Sequence, residues 1–138
     1  MSRNLDLILY GATGFTGRQA AAYFAQHGPP GLRWGIAGRR EEALRALAAE
    51  LGATEWILAD AQNPESIAAM VARTGLVVST AGPFAHYSEP VVAACVEQGA
   101  NYLDITGETP WVRSLIDRFH EEAKAKGLRI IPLCGFDS

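Results

Sequence analysis

Basic charge, cysteine and long apolar runs are all scarce in this chain, and each scarcity excludes something. Twelve lysines and arginines stand against fifteen aspartates and glutamates, for a formal net charge of −3. A broad nucleic-acid footprint needs a basic face, so no nucleic-acid partner is expected. The only two cysteines, Cys95 and Cys134, lie far apart and show no metal-binding spacing. They read as small apolar fillers suited to a reducing compartment, so no metal site is expected and the cytoplasm is the expected location. No stretch is long enough to cross a bilayer. The first apolar run is short and broken by Asp6, which does not fit a secretory signal.

What is present is an ordinary globular balance, 49% hydrophobic and 20% charged over 138 residues, the size of one domain with one core. Six short apolar runs recur: Leu5–Tyr10, Arg33–Ala37, Glu55–Ala59, Leu76–Thr80, Tyr102–Ile105 and Leu128–Leu133. They start about 20 to 30 residues apart, near the size of a βαβ unit. Five helix-like stretches lie between them. Ala43, Leu44, Leu47, Ala48 and Leu51 form an apolar stripe on the second, and Trp111, Val112, Leu115, Ile116, Phe119 and Ala123 form one on the fifth. Asn63-Pro64 and Thr109-Pro110 read as an N-cap followed by proline in the first turn. Ser88 is placed to cap the fourth helix, and Gly127 to end the fifth. Strict alternation implies parallel strands with helices covering both faces of the sheet. The expected fold is therefore a doubly wound α/β/α arrangement of about six parallel strands.

The segment LILYGATGFTGR places Gly11, Gly14 and Gly17 where the first strand gives way to the first helix. In a Rossmann-type sheet this turn lies under the ligand, beyond the carboxyl ends of the strands. Gly11 allows a tight turn, Gly14 removes a Cβ where a diphosphate must approach, and Gly17 lets helix and sheet pack closely. The amides from Phe15 to Gly17 then face the anion. After the second strand, where an NAD-preferring domain carries an acid for the ribose, this chain has Gly38-Arg39-Arg40. Paired guanidinium groups suit a 2′-phosphate, so NADP(H) is the expected cofactor. Arg39 also suits stacking on adenine. Two roles fit Asp60 equally, a contact to adenine or a loop position beside the Asn63 cap. Ala81, Gly82, Pro83 and Phe84 follow the fourth strand, where small residues let the backbone run beside the ribose and nicotinamide.

The segments GATGFTGR, AGRR, STAGPFAHYSEPVVAAC, NYLDITGE and CGFDS together resemble saccharopine dehydrogenase-like oxidoreductases, nearest to the branch containing bacterial trans-acting enoyl reductases. The resemblance implies an N-terminal NADP-binding Rossmann domain over residues 1–138. It also implies a larger C-terminal domain, absent here, that shapes the small-molecule substrate site and often mediates homodimerisation. It places Gly11, Thr13, Gly14, Phe15 and Thr16 on the diphosphate, Gly38, Arg39 and Arg40 around the 2′-phosphate, and Gly82, Pro83 and Phe84 beside the nicotinamide. The reaction it implies is hydride transfer to or from a C=N or C=C bond.

Proton donors are harder to choose. His86, Tyr87, Asp104, Glu108 and Asp137 all fall after the later strands, on the ligand edge. His86 has the most suitable ordinary pKa, Tyr87 suits proton donation or cofactor orientation, and Glu108 and Asp137 suit a substrate amine or a water. Asp104 and Glu108 equally suit fixing loop backbone, and Asp137 suits joining the further domain. His27 and His120 read as surface residues. The Tyr-x-x-x-Lys pair of short-chain dehydrogenases is missing, since Tyr10, Tyr23, Tyr87 and Tyr102 each lack a lysine four positions on. That leaves room for a second reading, an NADP sensor without turnover. A methyltransferase is disfavoured, because it would want an acid where Arg39 and Arg40 stand.

Overall fold

The structure, a computed structural model, describes residues 4–81, 84–104 and 108–132. The described elements, in chain order, are β1 (Leu7–Tyr10), α1 (Phe15–His27), β2 (Trp34–Gly38), α2 (Glu41–Leu51), β3 (Glu55–Leu58), α3 (Pro64–Val71), β4 (Leu76–Ser79), α4 (Phe84–Tyr87), α5 (Glu89–Gln98), β5 (Asn101–Asp104), α6 (Thr109–Lys126) and β6 (Ile130–Ile131). All pairings are parallel, in the order β3-β2-β1-β4-β5-β6. The chain thus builds outward from β1 in one direction, then returns and builds outward from β4 in the other. That reversal opens a crevice above the carboxyl ends of β1 and β4.

The five expected helices are all present, and α4 is an additional single turn. The expected first strand is shorter at its start, where Leu5 makes only an isolated bridge to Thr74. The last strand contracts to two residues, and Leu133 lies outside the described residues. Asn63 caps α3 as its sequence implies, accepting from the Ser66 amide at 3.3 Å. Two caps differ from expectation. Glu108, not Thr109, holds the N-cap position of α6, so Thr109 and Pro110 form its first turn. Ser88 holds the N-cap position of α5, but its hydroxyl makes no capping bond. It is drawn inward to Ser79 and Ala81 instead.

Two apolar clusters flank the sheet. Leu7, Leu9, Trp34 and Ile36 pack against Ala21 of α1 and Leu44 and Leu47 of α2. On the opposite face, Ile8, Val77 and Tyr102 pack against Ile67 and Met70 of α3, Val92 and Val96 of α5, and Trp111 and Leu115 of α6. Among the described residues, cover of the α1–α2 face thins toward the β6 edge. Leu9, Val78, Leu103 and Ile131 are register neighbours across β1, β4, β5 and β6. Leu9 is buried, Val78 and Leu103 are half-buried, and Ile131 is 44% exposed. The reason is topological, since α1 and α2 connect strands on the β1–β3 side and do not reach the far edge.

The apolar stripe of α6 splits in the same way. Trp111, Leu115 and Ala123 are buried, whereas Ile116 is half exposed. Ile116 and Phe119 instead line a hollow of about 310 Å³ between α6 and the β6 edge. Lys126 pairs with Glu122 at 3.1 Å. It also donates to the carbonyls of Val96 and Glu97, at 2.7 and 3.0 Å, and so ties α6 to the end of α5.

Candidate functional site

The turn after β1 is built on glycine for reasons that differ from one position to the next. Gly11 has a φ of +83°, a region that disfavours L side chains, and an added Cβ would lie 2.9 Å from the Ala81 nitrogen. Gly17 sits in the first turn of α1, and a Cβ there would press into the Gly11 carbonyl and lie 2.8 Å from Ala12 Cα. Gly14 is unlike both. Its backbone is extended, with φ −76° and ψ 172°, and the nearest atom to an added Cβ is 3.5 Å away. The fold accepts a side chain at Gly14, so packing does not account for the glycine. Gly14 holds the N-cap position of α1, no side chain caps that helix, and no acidic residue occupies its first turn. The amides at the start of the helix are therefore left facing outward.

Thr80 holds this turn against β4. Its amide donates to the Tyr10 carbonyl at 2.9 Å, and its hydroxyl reaches the carbonyls of Tyr10 and Gly11 at 3.2 and 3.1 Å. The turn borders a cleft of about 170 Å³ that brings together Gly11, Thr13, Gly14, Gly38, Arg39 and Arg40 from the expected site. Ala81 and Tyr87 close it from the β4 side, and Tyr10 and Thr80 form part of its wall. Sequence reasoning missed these last two. Burial pushes the Tyr10 phenol up to about 12, with the nearby Asp60 carboxylate adding to the effect, so this wall stays neutral across the physiological range.

Arg39 and Arg40 are exposed at the β2 end of the cleft, and Arg40 holds the N-cap position of α2. Positive charge is mildly unfavourable there. Arg33, Arg45, Arg73, Arg113 and Arg118 each pair with a carboxylate. Among the described residues, Arg39 and Arg40 make no such pair. The Arg39 guanidinium instead lies over the Tyr87 ring, 5.4 Å from its centroid. An added Cβ at Gly38 would meet nothing closer than 3.7 Å, so this glycine too leaves room that packing does not demand.

The remaining expected residues disperse. Phe15 and Thr16 are exposed at the start of α1. Asp60 serves its loop: its carboxylate accepts from the Gln62 amide at 2.9 Å, its carbonyl accepts from Asn63, and its amide donates to the Ser66 hydroxyl. His86 is exposed, with its ring 6.5 Å from that of Tyr87. Glu108 is half-buried at the start of α6. Phe84 begins α4, while Gly82, Pro83 and Asp137 lie outside the described residues. His27 and His120 are exposed, as expected of surface residues.

A second polar group lies buried behind the cleft, where Asp104, a candidate donor expected on the ligand edge, and Ser88, expected as a cap, join Tyr102 and Ser79, which the sequence did not single out. The Tyr102 hydroxyl donates to Asp104 at 2.6 Å, and the Ser79 and Ser88 hydroxyls meet at 2.6 Å. The Ala81 amide donates to Ser79 at 3.3 Å, while its carbonyl accepts from Ser88 at 3.2 Å. All four side chains belong to buried residues. Desolvation, followed by the Asp104 carboxylate, pushes the Tyr102 phenol up from its ordinary value, so it remains a donor. The group fixes the backbone of Ala81 at the cleft wall. We predict that Tyr102→Phe, which removes one hydroxyl and leaves Asp104 short of a donor, costs about 1–3 kcal/mol of stability. Urea denaturation checks this, and an unchanged midpoint would contradict the role.

Residues 7–131 match the family model described as the saccharopine dehydrogenase NADP binding domain. The chain is 46% identical over 140 aligned residues to a trans-acting enoyl reductase of Mycobacterium tuberculosis, covering 99% of this chain and 33% of that protein. The corresponding protein of Mycobacterium leprae is 45% identical over the same shares. The chain thus spans about a third of the length of the curated relatives it matches. Among solved structures, it is similar to apo saccharopine dehydrogenase (L-Glu forming) from Saccharomyces cerevisiae. The TM-score is 0.79 at 20% identity, covering 96% of this chain and 28% of that one, a likeness of fold.

Proposed function

This chain belongs to the saccharopine dehydrogenase NADP-binding domain family, and from that premise we propose that its cleft holds NADP(H) for a reductase acting on a carbon–carbon double bond. The observation that carries the reading is the make-up of the cleft's two ends. One end offers uncapped helix amides behind a Gly14 that packing does not require. The other offers two arginines with no carboxylate partner among the described residues. A diphosphate and a 2′-phosphate match these ends in charge and donor geometry.

When bound, NADPH supplies the hydride. The residues of this chain bind and orient. The amides of Phe15, Thr16 and Gly17 face the diphosphate, with Thr13 beside them. Arg39 and Arg40 grip the 2′-phosphate, and Gly38 clears the ribose. Thr80 and Ala81, with Gly82, Pro83 and Phe84 following, carry the backbone beside the nicotinamide half. Asp60, whose loop engages its backbone and its carboxylate, is the candidate for a contact on the adenine side. His86 and Glu108 are the candidates for proton chemistry on the substrate side, while Tyr87 lies at the Arg39 end of the cleft.

The names of the curated relatives favour an enoyl C=C bond over a C=N bond, and an enzyme over an NADP sensor. Those relatives are about three times as long, so substrate selection and dimerisation are assigned to polypeptide outside this domain. The half-exposed row Val78, Leu103 and Ile131 supports further structure packing on that face. No described helix is long and apolar enough to cross a membrane, and a small-molecule substrate met in the cytoplasm fits the reading. Equilibrium titration of the chain with NADPH and NADH tests it. NADPH is expected to bind at least about tenfold more tightly, a difference of about 1.4 kcal/mol, whereas equal or tighter binding of NADH would overturn it.

A further inference from the structure

We propose that Tyr87 is a specificity-determining positioning residue that holds Arg39 ready for the 2′-phosphate, an inference that rests on the NADP(H) reading of the cleft. Arg39 leaves the end of β2, Tyr87 ends α4, and the guanidinium lies over the phenol ring at 5.4 Å from its centroid. Both residues line the same cleft. A guanidinium uses its flat face to stack and its edge to donate hydrogen bonds. Stacking on Tyr87 therefore leaves the fork of N–H donors available, and among the described residues no carboxylate takes them.

Holding an arginine ready matters because its side chain is long. A free Arg39 would lose rotamer freedom on gripping a phosphate, and that loss weakens binding. An Arg39 already stacked has given up part of that freedom. Tyr87 is itself held in place by its neighbour. The Ser88 hydroxyl bonds Ser79 at 2.6 Å and the Ala81 carbonyl at 3.2 Å, so the end of α4 is pinned to β4. The contact therefore joins the β2 and β4 sides of the cleft through two fixed supports.

The effect belongs to the 2′-phosphate alone, and this separates it from a general structural role. The readout is the ratio of NADH to NADPH dissociation constants, measured by equilibrium titration. Tyr87→Leu, which keeps bulk but removes the aromatic face, is expected to lower this ratio about two- to fivefold, the size of one exposed cation–π contact. Tyr87→Phe, which keeps the ring, is expected to restore it. In an Arg39→Ala background, Tyr87→Leu is expected to change the ratio no further, because its effect runs through Arg39.

An equal loss of both affinities in Tyr87→Leu, an unchanged ratio, or a further drop in the Arg39→Ala background would each overturn the proposal. If Tyr87→Leu does not fold, Tyr87→Phe still decides: a reduced ratio in that variant contradicts a role for the ring. Wild-type chain showing no preference for NADPH would be a different failure, one that removes the cofactor reading itself.

Discussion

Gly14→Val is expected to abolish NADPH binding while leaving the fold nearly as stable as before. The backbone at Gly14 is extended, and an added Cβ meets only the Gly11 carbonyl, at an ordinary 3.5 Å. Valine is a poorer N-cap than glycine, a cost of about 1 kcal/mol, which a domain of this size registers as a fall of about 4 °C in Tm. The isopropyl group would stand in front of the α1 amides, where the diphosphate must come into contact. Affinity is expected to fall by at least about 100-fold, or about 2.7 kcal/mol. Gly17→Ala should differ by costing stability first. Its methyl group is driven into the Gly11 carbonyl and Ala12 Cα, so the helix must shift, at a cost of about 3 kcal/mol. Thermal melts and cofactor titrations on the two variants separate a glycine kept for a ligand from one kept for packing. If Gly14→Val melts far below the wild type, Gly14 is a packing residue and the argument from its spare room fails.

Replacing Arg39 and Arg40 together by alanine is expected to weaken NADPH binding on the order of 100-fold and NADH binding by less than about threefold. Hydrogen bonds to charged groups are among the stronger ones, and a 2′-phosphate offers several acceptors to two forks of donors. NADH lacks that phosphate, so the same substitution removes little from it. Both arginines lie on the surface, so the fold should keep its stability. Added salt should weaken NADPH binding to the wild type more than NADH binding, because the extra contact is between charges near solvent. A parallel loss for both cofactors would mean that the arginines support the cleft rather than select the cofactor.

The sheet was largely legible in the sequence because each strand is a short apolar run and the runs alternate with helical stripes. The glycine turn was legible because its spacing falls where a buried run stops. What escaped notice depends on distances that only folding creates. Tyr102 and Asp104 lie two apart on β5 and so share a face, which a sequence can suggest. That Ser79 stands opposite Asp104 requires the β4–β5 register. Ser88 looked like a helix cap because of its position before Glu89, yet the buried serine pair claimed its hydroxyl. Thr80 carries no motif of its own, and its grip on the Gly11 turn appears only once β4 lies beside β1. Tyr87 and Arg39 belong to different halves of the chain, and their contact crosses the sheet's point of reversal. Asp60, for which two roles stood open, is engaged by its own turn. The thinner cover of β5 and β6 among the described residues was not foreseen, because apolar strands alone do not say how far the covering helices reach.

The most direct test is a structure of this chain crystallised with NADPH. The account predicts the diphosphate against the amides of Phe15, Thr16 and Gly17, with Gly14 beneath it and the 2′-phosphate between Arg39 and Arg40. Nucleotide bound elsewhere, or a 2′-phosphate turned away from both guanidinium groups, would contradict it.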